Sequence, residues 1–159
     1  MNDSVRDGGD REYVPLTLGR YAVDGMVYLV NFSTAGRRAL FSDYLTASTV
    51  CRCIIDARLW HRAHLLGWVL MPDTWHGLVR VTQFDDLAIV VERIKTQTVH
   101  GLRRERPGLG KVWASGFEDR LLRTEQDLLK GARAVVTQPV RAGIVAEPGD
   151  YPYWNAVWL

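Results

Sequence analysis

Short apolar runs alternating with amphipathic stretches predict an α+β fold, a four-stranded antiparallel sheet with helices packed on one face. Two observations carry it. The β-rich runs 64–71 (HLLGWVLM) and 75–81 (WHGLVRV) are separated only by a Pro72-Asp73 break, the signature of a hairpin. Two further strand-like runs, 26–32 (MVYLVNF) and 117–122 (FEDRLL), stand apart from this hairpin, each separated from it by a helical stretch.

Each element has its own local signal. Residues 1–12, MNDSVRDGGDRE, are polar with a Gly-Gly pair and read as a flexible tail ahead of one domain over 13–159. The Asp24-Gly25 pair is a turn signal before the first strand. Ser42 is the expected cap of a helix over 43–60, with Tyr44, Val50, Ile54 and Leu59 as its apolar stripe. A second helix is expected from Asp85 or Asp86 to about Leu102, with Leu87, Val90, Val91, Ile94 and Thr98 on one face. Residues 106–110, RPGLG, form a loop before the fourth strand. Thr124, with Asp127 three residues on, resembles a loose capping box for a third helix over 125–137, which Pro139 is expected to end. The order β-α-β-β-α-β-α opens with the split β-α-β, ferredoxin-like plan.

Composition narrows the class. The 159 residues suit one domain, and 47% hydrophobic with 24% charged residues argues against global disorder. No apolar run reaches the roughly 18–20 residues of a membrane span, and no signal peptide is visible. Cys51 and Cys53, the only cysteines, match neither a disulfide framework nor a zinc ribbon and suit a reducing, cytoplasmic compartment. The net charge of +2 divides into −2 over residues 1–12 and +4 over the rest. All basic residues but Lys95, Lys111 and Lys130 are arginines. The planar guanidinium fork suits phosphates, although a GC-rich genome enriches arginine equally well.

Three places could carry chemistry. His76 lies on the third strand just after the turn, and period two places Thr74 on its face. A lone strand histidine is also an ordinary structural residue, and a hydroxyl is a poor metal ligand beside imidazole. Residues 93–111 gather Arg93, Lys95, Arg103, Arg104, Arg106 and Lys111 against Glu105, a local balance of +5. Such a run completes a helix C-terminus or binds phosphate. The C-terminal part is rich in aromatics, including Trp113, Phe117, Tyr151 and Tyr153, which suit core packing or base stacking. There is no phosphate-binding Gly-rich loop, nucleophile elbow or CxxC pair. Glu118 and Asp119 point to opposite faces of any strand, so they do not act together.

Four strings together resemble the REP-associated tyrosine transposase branch of the single-tyrosine HUH transposases. Residues 27–32, VYLVNF, resemble the family's first strand, commonly YHVT. Residues 68–79, WVLMPDTWHGLV, resemble WVVMPNHVHLLV. Residues 112–119, VWASGFED, resemble WQRGFYDH. Residues 138–145, QPVRAGIV, then 150–153, DYPY, resemble NPVKAGLV and DYPYSS. The resemblance implies a ferredoxin-like fold, single-stranded or hairpin DNA as partner, and a divalent metal, magnesium or manganese. In that chemistry two histidines and a helix side chain hold the metal, and a helix tyrosine attacks a phosphate to form a 5′-phosphotyrosine. It leaves room for a homodimer.

The chain departs from that pattern at the reactive groups. By the resemblance, the first histidine corresponds to Thr74, the second to His76, the nucleophilic tyrosine to Ala134, and the helix asparagine to Gln138, whose amide oxygen can still coordinate metal. The expectation is a DNA-binding protein without strand cleavage, its phosphate contacts being Arg93, Lys95, Arg103, Arg104, Arg106 and Lys111. Two alternatives stand beside it. One is an active metal-dependent nickase using displaced residues such as Tyr151 or Tyr153 with His64. The other is a protein–protein module on the same fold.

Overall fold

The structure is a computed structural model that describes residues 25–82 and 86–158. The expected tail 1–12 lies outside the described residues. Strand β1 spans Gly25–Ser33, β2 Ala63–Leu70, β3 Thr74–Thr82, β4 Glu118–Leu121 and β5 Trp154–Ala156. Helix α1 spans Tyr44–Ile54, α2 Leu87–Glu105 and α3 Glu125–Arg141. The strands form one antiparallel sheet in the order β4-β1-β3-β2-β5.

Two features correct the expected architecture. Among the described residues the sheet has five strands rather than four, because the chain after α3 returns to pair Trp154–Ala156 with the β2 edge. Three residues with one aromatic carry too little alternation for a strand signal, and tertiary pairing makes the strand. The helices also cover both faces. Tyr28, Val30 and Phe32 of β1 join Trp75, Val79 and Val81 of β3 in a core with α1 and α2. Val27 of β1 and Leu78 of β3 join Leu128, Ala132 and Val135 of α3 in a second core. A strand buried on both faces reads as a continuous apolar run, so the count of covered faces was hidden in the sequence.

Local chemistry sets the helix ends. The cap of α1 is Asp43, not Ser42: its Oδ2 accepts from the Thr46 N–H at 3.0 Å and the Thr46 hydroxyl at 2.6 Å. The expected helix 43–60 ends at Ile54, and its last residues form a separate 3-10 turn at Ala57–Trp60. Asp86 caps α2, accepting from Ala88 N–H at 2.9 Å. Thr124 caps α3, as the loose capping box suggests. Pro139 does not end α3, which runs two residues further to Arg141. Termination comes from Gly143 at φ 72°, with Gly143 N–H donating to Val140 O and Ile144 N–H to Pro139 O. That is a Schellman closure, which a left-handed glycine makes inexpensive.

The other strings behind the resemblance also hold the scaffold. Trp113 Nε1 donates to Thr98 Oγ1 at 2.9 Å, and its ring meets Phe32 edge-on at 4.8 Å. The ammonium of Lys95 donates to Ala114 O and Gly116 O at 3.0 and 2.5 Å. Tyr151 donates its hydroxyl to Leu70 O at 2.5 Å, and Leu70 N–H donates to Tyr153 O.

Candidate functional site: the polar row beneath α3

Period two and the strand register assemble one polar row. On β3, Thr74 and His76 share parity with Leu78, which faces α3. His76 stands opposite Asn31 of β1, and Asn31 stands opposite Glu118 of β4. Residues directly opposite in an antiparallel pair project to the same side, so His76, Asn31 and Glu118 line up across three strands. Ala134 and Gln138 lie one turn apart on α3, beside the buried stripe of Leu128, Ala132 and Val135.

The Thr74 end of the row is bound by a residue that sequence reasoning missed. Arg37 Nη1 donates to Thr74 Oγ1 at 2.9 Å and stands 3.8 Å from Asp73 Oδ2. Thr74 in turn donates its hydroxyl to Asp73 Oδ1 at 3.0 Å, and is itself buried. Arg37 reaches this position from a loop held against the β2–β3 turn by Thr34 N–H donating to Asp73 O. Gly36 and Arg37 both sit in the left-handed region, at φ 66° and 55°. Nothing in the Gly36-Arg37-Arg38 string signals this long-range placement.

Electrostatics follow from that arrangement. Burial, and next the Arg37 guanidinium, push the His76 imidazole down to about 4, while Asp73 and Glu118 act in the opposite sense. His76 is therefore neutral near pH 7. His64 lies on the same face opposite Arg80, four residues along β3 from His76, or about 13 Å at strand rise. The two histidines do not share a ligand.

The residues at this position do not fit a divalent metal. Of its donors, His76 is a neutral imidazole, but the Thr74 oxygen is engaged on both sides and faces a guanidinium. Among the described residues, no three His, Cys, Asp or Glu side chains converge to hold a metal ion. The displaced tyrosines fare no better as nucleophiles. Tyr151 is buried, and burial raises its phenol well above the ordinary range. Burial also raises Tyr153, which packs edge-on against Tyr151 at 5.6 Å.

The basic residues of 93–111 lie on α2 and its following loop, on the opposite face of the sheet from His76. Arg93 donates to Leu59 O and His61 O, and Lys95 is buried over the Phe32 ring. Arg106 donates to Thr46 Oγ1 and pairs with Asp43 at 3.1 Å. Arg103, Arg104 and Lys111 are exposed. Helix α2 divides them: Arg103 and Lys111 line one cleft with Trp113, while Arg104 and Arg93 line another with Arg58.

A polar row thus crosses one face of an antiparallel sheet, and α3 packs on that same face. Comparison with solved structures bears out the resemblance at the level of the fold. The chain is similar to a REP-associated tyrosine transposase bound to a REP hairpin, with TM-score 0.69 at 20% identity over 90% of this chain and 81% of that one. It is also similar to a candidate transposase from Deinococcus radiodurans, with TM-score 0.54 at 18% identity over 86% of this chain and 91% of that one. No protein-family model and no curated protein sequence matches the chain. No helix among the described residues is long and apolar enough to cross a membrane.

Proposed function

We propose that the protein binds single-stranded or hairpin DNA on a transposase fold and does not cleave it. The observation that carries the reading is the pairing of a transposase-like scaffold with Ala134 at the position the resemblance gives to the nucleophile. A methyl group forms no bond to phosphorus, so the covalent intermediate has no attachment point. Thr74, bound to Arg37 and Asp73, replaces the first metal-binding histidine. Tyr151, the nearest replacement phenol in sequence, is committed to Leu70 O. Arg103, Arg104 and Lys111 are exposed and serve as phosphate contacts, while Arg93, Lys95 and Arg106, the last also exposed but paired with Asp43, hold the scaffold. The free thiols suit a cytoplasmic setting.

The test is incubation of a labelled hairpin oligonucleotide with single-stranded flanks, with and without manganese. A mobility shift without a covalent adduct on a denaturing gel is expected. An adduct overturns the inactive reading. The double variant Thr74→His with Ala134→Tyr is expected to recover more nicking than either single change, because groups that act as a unit are non-additive. Salt-insensitive or undetectable DNA binding would favour a protein–protein module instead.

A further inference from the structure

We propose that Arg37 is a built-in replacement for the divalent ion, and that this site grips one DNA phosphodiester through the guanidinium without metal. The inference rests on the DNA-binding reading and names the group that meets the strand there.

Four observations support it. The guanidinium bonds directly to the side chain that stands at the first metal-ligand position, Arg37 Nη1 to Thr74 Oγ1 at 2.9 Å. A fixed positive charge one hydrogen bond from a would-be ligand repels a divalent cation and supplies what that cation supplies, attraction for a phosphate oxygen. Among the described residues Nη1 makes a hydrogen bond while Nη2 and Nε make none, and the side chain is 67% exposed. The remaining edge of the fork therefore faces solvent in the geometry that phosphate accepts bidentately.

The backbone is built for this placement. Arg37 holds φ 55°, a left-handed conformation that costs a non-glycine residue about 1 kcal/mol and persists only where the surroundings impose it. Thr34 imposes it from both ends. Its carbonyl accepts from Arg37 N–H at 3.0 Å, its hydroxyl donates to Arg38 O at 2.7 Å, and its own N–H donates to Asp73 O at 2.8 Å.

The nearby carboxylates do not cancel the arrangement. Asp73 accepts from Thr74 and pairs with Arg37 at 3.8 Å, longer than a direct hydrogen bond, so the pair orients the guanidinium without closing it. Glu118 stands two strand spacings from His76 across β1, about 10 Å away.

The experiment has two arms on the full chain. Manganese binding is measured by electron paramagnetic resonance for the wild type and for Arg37→Asn, which keeps the left-handed turn because asparagine tolerates it. Hairpin binding is measured across a salt series in chelator and in manganese, for the wild type, Arg37→Asn and Arg37→Lys, each checked by far-UV circular dichroism. Expected are no manganese binding by the wild type at 100 μM, and hairpin affinity that is equal in chelator and in manganese. Arg37→Asn is expected to weaken hairpin binding about tenfold and to lower the salt slope by about 1. Arg37→Lys is expected to restore the slope but not the full affinity, since lysine is a point charge. A wild-type chain that binds no hairpin overturns the DNA-binding reading, and the proposal with it. Hairpin binding that survives Arg37→Asn unchanged, or that requires manganese, overturns this proposal alone and leaves the DNA-binding reading standing.

Discussion

The strand that carries Thr74 and His76 is anchored by a large-small pair on its other face, and a double-mutant cycle there tests the packing directly. Trp75 is fully buried and stacks on Phe32 at 5.2 Å. Gly77, two residues on and on the same face, leaves room for the indole: a Cβ added there would lie 2.2, 2.6 and 2.8 Å from three ring atoms. Trp75→Val removes most of the ring and is expected to cost about 3 kcal/mol, the lower part of the range for large-to-small core changes. Gly77→Ala drives a methyl into the ring and is expected to cost about 1–2 kcal/mol. In the Trp75→Val background the same alanine meets no ring, and removal of a strand glycine gains about 0.5 kcal/mol. The coupling energy is then about 2 kcal/mol, well above what independent sites show. Urea denaturation of the four proteins followed by far-UV circular dichroism measures it without relying on the indole signal. Additivity within about 0.5 kcal/mol would refute the account. Trp75→Phe is a control: among the described residues Trp75 Nε1 has no hydrogen-bond partner, so that change forfeits volume but no bond, at a cost of about 1 kcal/mol.

Three further outcomes are expected. Tyr151→Phe strips Leu70 O of its partner and costs about 1–2 kcal/mol in denaturant unfolding while leaving hairpin affinity unchanged; a loss of affinity without a loss of stability would place Tyr151 in a functional role. Lys95→Met leaves Ala114 O and Gly116 O without their donor and is expected to destabilise by about 2 kcal/mol, whereas Arg103→Ala and Arg104→Ala leave the unfolding midpoint unchanged; the same equilibrium melts decide both. Hydrogen bonds from Arg58 hold Asp56 at about 2, below its unfolded value, so the unfolded state binds the proton more readily and the stabilisation present above pH 4 is lost as pH falls toward 2; Arg58→Ala returns the Asp56 titration, followed by carboxyl NMR shifts, toward its ordinary value.

Local sequence signals by themselves determined the elements. Periodicity and turn signals located the three α-helices and four of the five strands of the described residues. The hairpin turn at Pro72-Asp73, the helix start at Asp85 or Asp86 and the cap at Thr124 were legible because each works within a few residues of itself. The shared parity of Thr74 and His76 was legible for the same reason, since strand period is a local property. The resemblance strings identified the fold, and the structure gives several of them scaffold work, from the Gly143 closure to the Tyr151 anchor.

What only the tertiary structure decided involves residues far apart in the chain. Nothing local distinguishes a two-helix layer on one face from helices on both, because a doubly buried strand lacks polar alternation. The β5 return depends on Leu70 N–H meeting Tyr153 O across 83 residues, and three residues carry no period of their own. The charge count over 93–111 treated six cations as one patch, yet long side chains fold back wherever carbonyls and carboxylates wait, as Lys95 and Arg106 do. Arg37 is the sharpest case. It lies 37 residues from Thr74 in sequence, and its position follows from a left-handed turn and from backbone bonds to a hairpin that composition cannot see. Spacing shows which side chains share an element; only the packed sheet shows which charge stands beside Thr74.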